Sequence, residues 1–201
     1  MRCAFCKNWA WYRCANTGKL VCPRHVRLQV VAVTAGGEPV EWQVCPATEG
    51  DYPRLEELAL RLWGETQVEN FGRAYDVLNL PAFVALAGEE VAGFLSYSVD
   101  DDRMNLVMLN VVPEHQGRGL AKALLGAAVA EAQKLGLNNL VVATSNDDLP
   151  ALDFYQRAAF VITEVVPGRL VEHHGGVEEG FAAIPVRDEI RLALLLRRGA
   201  S

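Results

Sequence analysis

Residues 116–122 read Gln-Gly-Arg-Gly-Leu-Ala-Lys and stand between an apolar run ending at Pro113 and a long stretch with helical spacing. At Gly117 and Gly119 no Cβ stands in front of the backbone, so the N–H groups can face outward. The first amides of a helix lack intrahelical partners and lie at the positive end of its dipole. That suits the turn to an anion, and to a pyrophosphate in particular. Arg118 and Lys122 add formal charge nearby. On pattern alone, a tight turn with no ligand is the standing alternative. A dinucleotide fingerprint does not fit, because GxGxxG would require glycine where Lys122 stands and no βαβ unit opens the chain.

A second chemical signal is crowded into the first 25 residues. Cys3 and Cys6 form a CxxC pair, Cys22 and His25 a CxxH pair, and fifteen residues separate Cys6 from Cys22. Zinc favours four tetrahedral sulfur or nitrogen ligands, and a two-residue gap lets one tight turn aim both side chains at one ion. Four ligands leave no open coordination position, so the expected Zn2+ is structural. The segment between the pairs is too short for a core of its own. Trp9, Trp11 and Tyr12 are expected to pack around the metal, Thr17-Gly18 to turn the chain, and the piece to be unfolded without zinc. A redox-active or disulfide cluster is the alternative, and Cys14, midway between the pairs, has no assigned role.

These groups need a scaffold, and 201 residues with 51% apolar content can bury one full core plus a small appendage. The expected division is a metal module at 1–28, a connector or hairpin at 29–41, and a main domain at 42–198. The net charge of −6 is uneven: residues 1–27 carry six basic side chains and no Asp or Glu. The acidic remainder argues against nucleic acid and anionic membrane as partners. The basic piece either recruits a partner or docks on its own acidic body. No apolar run is long enough to span a bilayer and no signal peptide is evident, so a cytoplasmic protein is expected.

Within the main domain, strands are expected at Trp42–Pro46, Ala82–Ala87, Val91–Val99, Asn105–Val112, Leu140–Thr144, Phe160–Val166 and Ile190–Leu196. Helices are expected at Asp51–Trp63, Gly119–Leu135 and Pro150–Ala158, with a weaker helical stretch at Val68–Leu78. His173-His174 falls in a Gly-rich loop. The class is therefore mixed α/β, with a partly antiparallel sheet flanked by helices.

Gln116-Gly-Arg-Gly119-Leu-Ala121 resembles the Gln/Arg-x-x-Gly-x-Gly/Ala motif of the GCN5-related N-acetyltransferases (GNAT), preceded here by Val-Val-Pro-Glu. Downstream, Ser145-Asn146-Asp147-Asp148 and the run through Tyr155 to Phe160 are similar to that family's second acetyl-CoA motif. The likeness extends from about Trp42 to Leu196. It implies a GNAT-like fold and acetyl-CoA-dependent transfer to an amine of an unidentified acceptor, either a small molecule or a protein. By motif position, Leu109, Asn110 and Val111 would line the pantetheine arm, while Gln116, Gly117, Arg118, Gly119, Leu120, Ala121 and Lys122 would hold the pyrophosphate.

Tyr155 stands where the family places the acid that protonates the leaving thiolate; read without the motif, it is a core aromatic on a short helix. Two positions depart from the pattern. Asp148 replaces an Asn that contacts the cofactor arm, and Asn146 is the candidate to supply that amide. Ala159 replaces a Gly, which penalises a backbone of positive φ. The resemblance names no general base. The cysteine-rich segment resembles a reduced B-box-type zinc finger, with Cys14 as the remnant of a second site. That likeness implies a protein partner. A non-catalytic acetyl-CoA-binding or interaction module on the same fold is the alternative function.

Overall fold

The computed structural model describes residues 42–196 together with two short strands, β1 (Tyr12–Arg13) and β2 (Leu20–Val21), which pair antiparallel. The expected zinc ligands Cys3, Cys6, Cys22 and His25, together with Cys14 and the 29–41 connector, lie outside the described residues. Among the described residues, no group of three or more His, Cys, Asp or Glu is placed to hold a metal.

Chain order after β3 (Trp42–Pro46) is α1 (Tyr52–Trp63), β4 (Gln67–Asn70), β5 (Arg73–Asp76), β6 (Ala82–Ala87), β7 (Glu90–Asp100) and β8 (Arg103–Val111). Then follow α2 (Leu120–Lys134), β9 (Asn139–Ser145), α3 (Leu149–Arg157), β10 (Val161–Val166), α4 (Arg169–His174), β11 (Glu178–Glu179), β12 (Pro185–Val186) and β13 (Glu189–Leu195). Seven strands form one sheet in the order β10, β13, β9, β8, β7, β6, β3, and only β8 and β9 run parallel. Consecutive residues of β7 and β8 are buried, so both faces of the sheet centre are covered. Both α1 and α2 pack there.

The helices follow from their apolar spacing. Leu55, Leu58 and Ala59 bury the inner face of α1, which carries Pro53 in its first turn and stops where Gly64 turns left-handed at φ 80°. In α2, Leu120, Leu124, Leu125, Ala128 and Ala132 are buried on one stripe. Each fully buried Leu contributes roughly 1.5–3 kcal/mol relative to exposure.

Two expectations are corrected. The weaker helix at Val68–Leu78 is a β-hairpin, β4 pairing with β5, followed by a short 3-10 turn at Val77–Asn79. Phe71 (φ 55°) and Gly72 (φ 73°) form its two-residue loop, a left-handed pair that suits the twist of a tight hairpin and not a helix interior. His173 and His174 lie on the short helix α4 rather than in a loop, because the flanking Gly168 and Gly175 cap it from outside.

Candidate active site

The parallel ladder between β8 and β9 holds only from Arg103 opposite Asn139 to Leu106 opposite Val142. Beyond it β8 continues to Val111 and β9 to Ser145 without pairing, so the central strands diverge. A bulge marks the place: opposite Ser96 and Tyr97 of β7, the partner jumps from Met108 to Leu106. The extra residue, Val107, offers its carbonyl to Asn70 Nδ2 at 3.2 Å, which ties the β4–β5 hairpin to the point of divergence. The β9-side edge of β8 from Val107 onward is therefore open for pairing with a ligand. Gly93 of β7 permits this geometry, since a Cβ there would lie 2.5 Å from the Asn110 carbonyl.

A cavity of about 400 Å3 lies at the end of β8. Val111, Gln116, Gly117, Gly119, Leu120, Ala121 and Lys122 line it, so seven of the residues expected at the cofactor are brought together. Gly117 (φ 73°) and Gly119 (φ 89°) are both left-handed, and a Cβ on either would meet no protein atom within 4 Å. Gly119 is the N-cap of α2 and supplies no side-chain cap, leaving the first-turn amides to a ligand. Gln116 Nε2 donates to the Val111 carbonyl at 3.0 Å and fastens the turn to the strand.

The cavity's other wall was not foreseen. Asp153, Phe154, Arg157 and Ala158 of α3, and His115, complete the lining. Arg157 Nε and Asp153 pair at 2.7 Å, one helical turn apart. The signal for this wall was the resemblance of Ser145 to Phe160 to the second acetyl-CoA motif, which did not single out these four side chains.

Several expected residues lie elsewhere. Arg118 turns beside His115, with Nη1 and Nδ1 3.5 Å apart, and is not part of the lining. Leu109 is half-buried against the core, and Asn110 is buried with its Oδ1 accepting from Trp63 Nε1. Neither lines the cavity, so any contact they make with a cofactor arm would be through backbone. Asn146 lines neither cavity and is engaged within the chain. Its Oδ1 accepts from the N–H groups of Arg187 and Asp188, and its Nδ2 donates to the Pro185 carbonyl at 2.9 Å. It binds the loop before β13, and all its polar groups are used there.

Asp148 is the N-cap of α3, its Oδ1 accepting from the Ala151 N–H at 3.0 Å and its Oδ2 from the Thr144 hydroxyl at 3.2 Å. A carboxylate at this position is stabilised by the helix dipole, which explains why Asp serves in place of Asn. Tyr155 is 6% exposed, and its ring meets Phe154 and Phe160 edge-on at 5.1 and 5.3 Å. It lines neither this cavity nor the second one. Burial first, and the charge of Asp148 second, push its hydroxyl well above the ordinary tyrosine range.

The second cavity, of about 300 Å3, lies against Val107 of β8 and Ala143, Thr144 and Ser145 of β9, where the strands diverge. It shares no lining residue with the first. Glu65, Glu69, Asp148 and Glu189 contribute carboxylates, with His173 of α4 beside them. Glu69 is bonded to Arg169, and its Oε2 lies 3.0 Å from His173 Nδ1. Glu189, 3% exposed, is paired with Arg191 Nε at 2.6 Å.

The model of the acetyltransferase (GNAT) family matches residues 41–160, more than half of the chain. The chain belongs to this family. It is thus an acyltransferase, an acetyl-CoA-dependent N-acetyltransferase of the GNAT fold. An uncharacterized N-acetyltransferase of Bacillus subtilis, YvbK, is 29% identical over 114 residues, covering 56% of this chain and 72% of that protein. The streptothricin acetyltransferase of Streptomyces lavendulae is 32% identical over 81 residues, 39% of this chain and 43% of its own length. Among solved structures, a Bacillus subtilis acetyltransferase in complex with CoA superposes with a TM-score of 0.65 at 24% identity. The match covers 78% of this chain and all of that one, and speaks for the GNAT fold.

Proposed function

We propose that the cavity at the end of β8 receives acetyl-CoA and that the second cavity receives the amine it acetylates. The observation that carries this reading is the divergence of β8 from β9 after Leu106, with one cavity lined by Val111 at the end of β8 and the other by Val107 and by Ala143 to Ser145 of β9. Amides from Gly117 to Lys122 would hold the pyrophosphate, with Lys122 adding charge. The open edge of β8 from Val107 to Val111 would pair with the pantetheine arm and place the thioester at the divergence. Asp148 acts by capping α3, and the cofactor contacts expected of Asn146 pass to Phe154 and Arg157.

In the transfer, a neutral amine attacks the thioester carbonyl, and a strand amide of β8 stabilises the oxyanion. The Tyr155 hydroxyl, whose burial favours the protonated form, would donate a hydrogen bond to the departing sulfur. Tyr155→Phe is expected to lower kcat by about 100-fold with little change in acetyl-CoA affinity, followed by release of free thiol. An equal loss in both, or none in kcat, would return Tyr155 to the role of a core aromatic.

Residues 1–28 form a structural zinc finger on Cys3, Cys6, Cys22 and His25 that recruits a protein partner or the substrate, and 29–41 connect it to the catalytic domain at 42–198. A thiol-ligated zinc site fits the reducing cytoplasm. Elemental analysis should find one zinc for each chain, and a metal-free N-terminus that still resists proteolysis would refute the finger.

A further inference from the structure

We infer that the acceptor is a small primary amine carrying a second positive charge, of the diamine type; this rests on the second cavity being the acceptor site. The two cavities differ in charge. Lys122 and Arg157 stand in the lining of the first, Arg157 paired there with Asp153, whereas the second holds four carboxylates and His173 but no Lys or Arg. Part of that negative charge is already matched, since Arg169 neutralises Glu69 and Arg191 neutralises Glu189. Asp148 is different: its carboxylate is met by a hydroxyl and a backbone N–H, neither of which carries a full charge. Glu65, exposed in the lining, forms no ion pair among the described residues. Beside it Trp63, 52% exposed, offers an aromatic face of the kind that favours a cation. Val68, Leu170 and Val186 supply apolar wall for a short hydrocarbon spacer.

The chemistry of the reaction turns this surplus into a statement about the substrate. The attacking nitrogen must be neutral when it forms the C–N bond, so a lone ammonium loses its attraction to the carboxylates as the reaction begins. A second ammonium keeps its charge throughout and remains held. The balance is one ammonium plus one acetyl thioester giving one acetamide, one free thiol and one released proton: the C–S bond breaks, and the sulfur takes up a proton as it leaves. The acetylated product has lost one of its two charges, which weakens its hold and favours release. A free amino acid brings a carboxylate into a lining with no Lys or Arg and is disfavoured.

Diaminobutane, butylamine and γ-aminobutyrate share one carbon chain and differ only at the far end, so kcat/KM on the three, read as thiol release, tests the inference. Diaminobutane should exceed butylamine by about tenfold, the worth of roughly one partly desolvated charge pair, with γ-aminobutyrate the poorest. Added salt should raise KM for diaminobutane more than for butylamine. Glu65→Gln and Asp148→Asn should each narrow the ratio of diaminobutane to butylamine; Asp148→Asn keeps a helix-capping side chain, so the change reports charge. Equal rates on all three, or preference for γ-aminobutyrate, would overturn the assignment. A lysine-rich peptide turned over in preference to diaminobutane would overturn the small-molecule acceptor. Turnover of none of them, with acetyl-CoA still stabilising the fold, would overturn the substrate class and leave the cofactor site standing. Loss of that stabilisation would instead remove the reading on which the inference rests.

Discussion

Tyr155 sits at the meeting of stability and chemistry, because the same burial that holds its ring against Phe154 and Phe160 keeps its hydroxyl protonated. A phenol titrates at about 10 in an unfolded chain, while this one titrates higher in the fold. Its contribution to stability is therefore complete below pH about 10 and is lost as pH rises through the folded value. Over that window the wild type should lose about 1.4 kcal/mol per pH unit through this group alone. Urea denaturation between about pH 9 and 11 should show a flatter alkaline decline for Tyr155→Phe than for the wild type. Tyr52, Tyr97 and Cys45 are also shifted upward, but they are common to both proteins and cancel in the difference.

The neighbouring Ala159 carries a measurable strain. It occupies φ 69° just after α3, where the family pattern has Gly, and a left-handed Cβ costs roughly 1–2 kcal/mol. Ala159→Gly gives back part of this in unfolded-chain entropy, so a net gain of about 1 kcal/mol is expected by denaturant melting. A loss of stability would mean that the Ala159 methyl makes packing contacts outweighing its backbone strain.

Among the elements, the divergence of β8 from β9 is set by what lies beside it. Gly93 of β7 is the point of closest approach, and Gly93→Ala would drive a Cβ into the Asn110 carbonyl and toward Val111. Such overpacking should cost about 1–3 kcal/mol and weaken acetyl-CoA binding, since it displaces the strand edge proposed to hold the pantetheine arm. The check is calorimetric titration beside thermal melting; a destabilised variant with unchanged affinity would separate Gly93 from the site.

The seven strands of the main sheet, the three main helices and the anion turn were legible in the sequence because each follows local periodicity or a local glycine, whereas the short β11–β12 pair was not. The β4–β5 hairpin was not, since Val68, Ala74 and Val77 suit a helix as well as a strand, and the deciding loop at Phe71-Gly72 is a matter of backbone angle. Nor could local pattern show that β13 inserts between β9 and β10, or that Asp148 caps α3 while Asn146 ties down the loop before β13. The carboxylates of the second cavity come from the α1–β4 loop, β4, the start of α3 and β13, so only the fold assembles them.

At the scale of the whole molecule, an acidic chain with a net charge of −6 keeps a glycine-lined cavity with Lys122 in its wall at the end of β8, and a carboxylate-lined cavity where β8 and β9 diverge. The pyrophosphate of acetyl-CoA would meet the amides and Lys122 of the first, and the proposed diamine the carboxylates of the second. Among the described residues no helix is long and apolar enough to cross a membrane. Acetyl-CoA binding in the cavity lined by Val111, Gly117, Gly119 to Lys122 and Phe154 is checked by a thermal melt of the full chain with and without acetyl-CoA. At about 100 times the dissociation constant the fold should gain about 2.7 kcal/mol, seen as an upward shift in Tm of several degrees. An unchanged Tm at saturating, millimolar acetyl-CoA would contradict the claim.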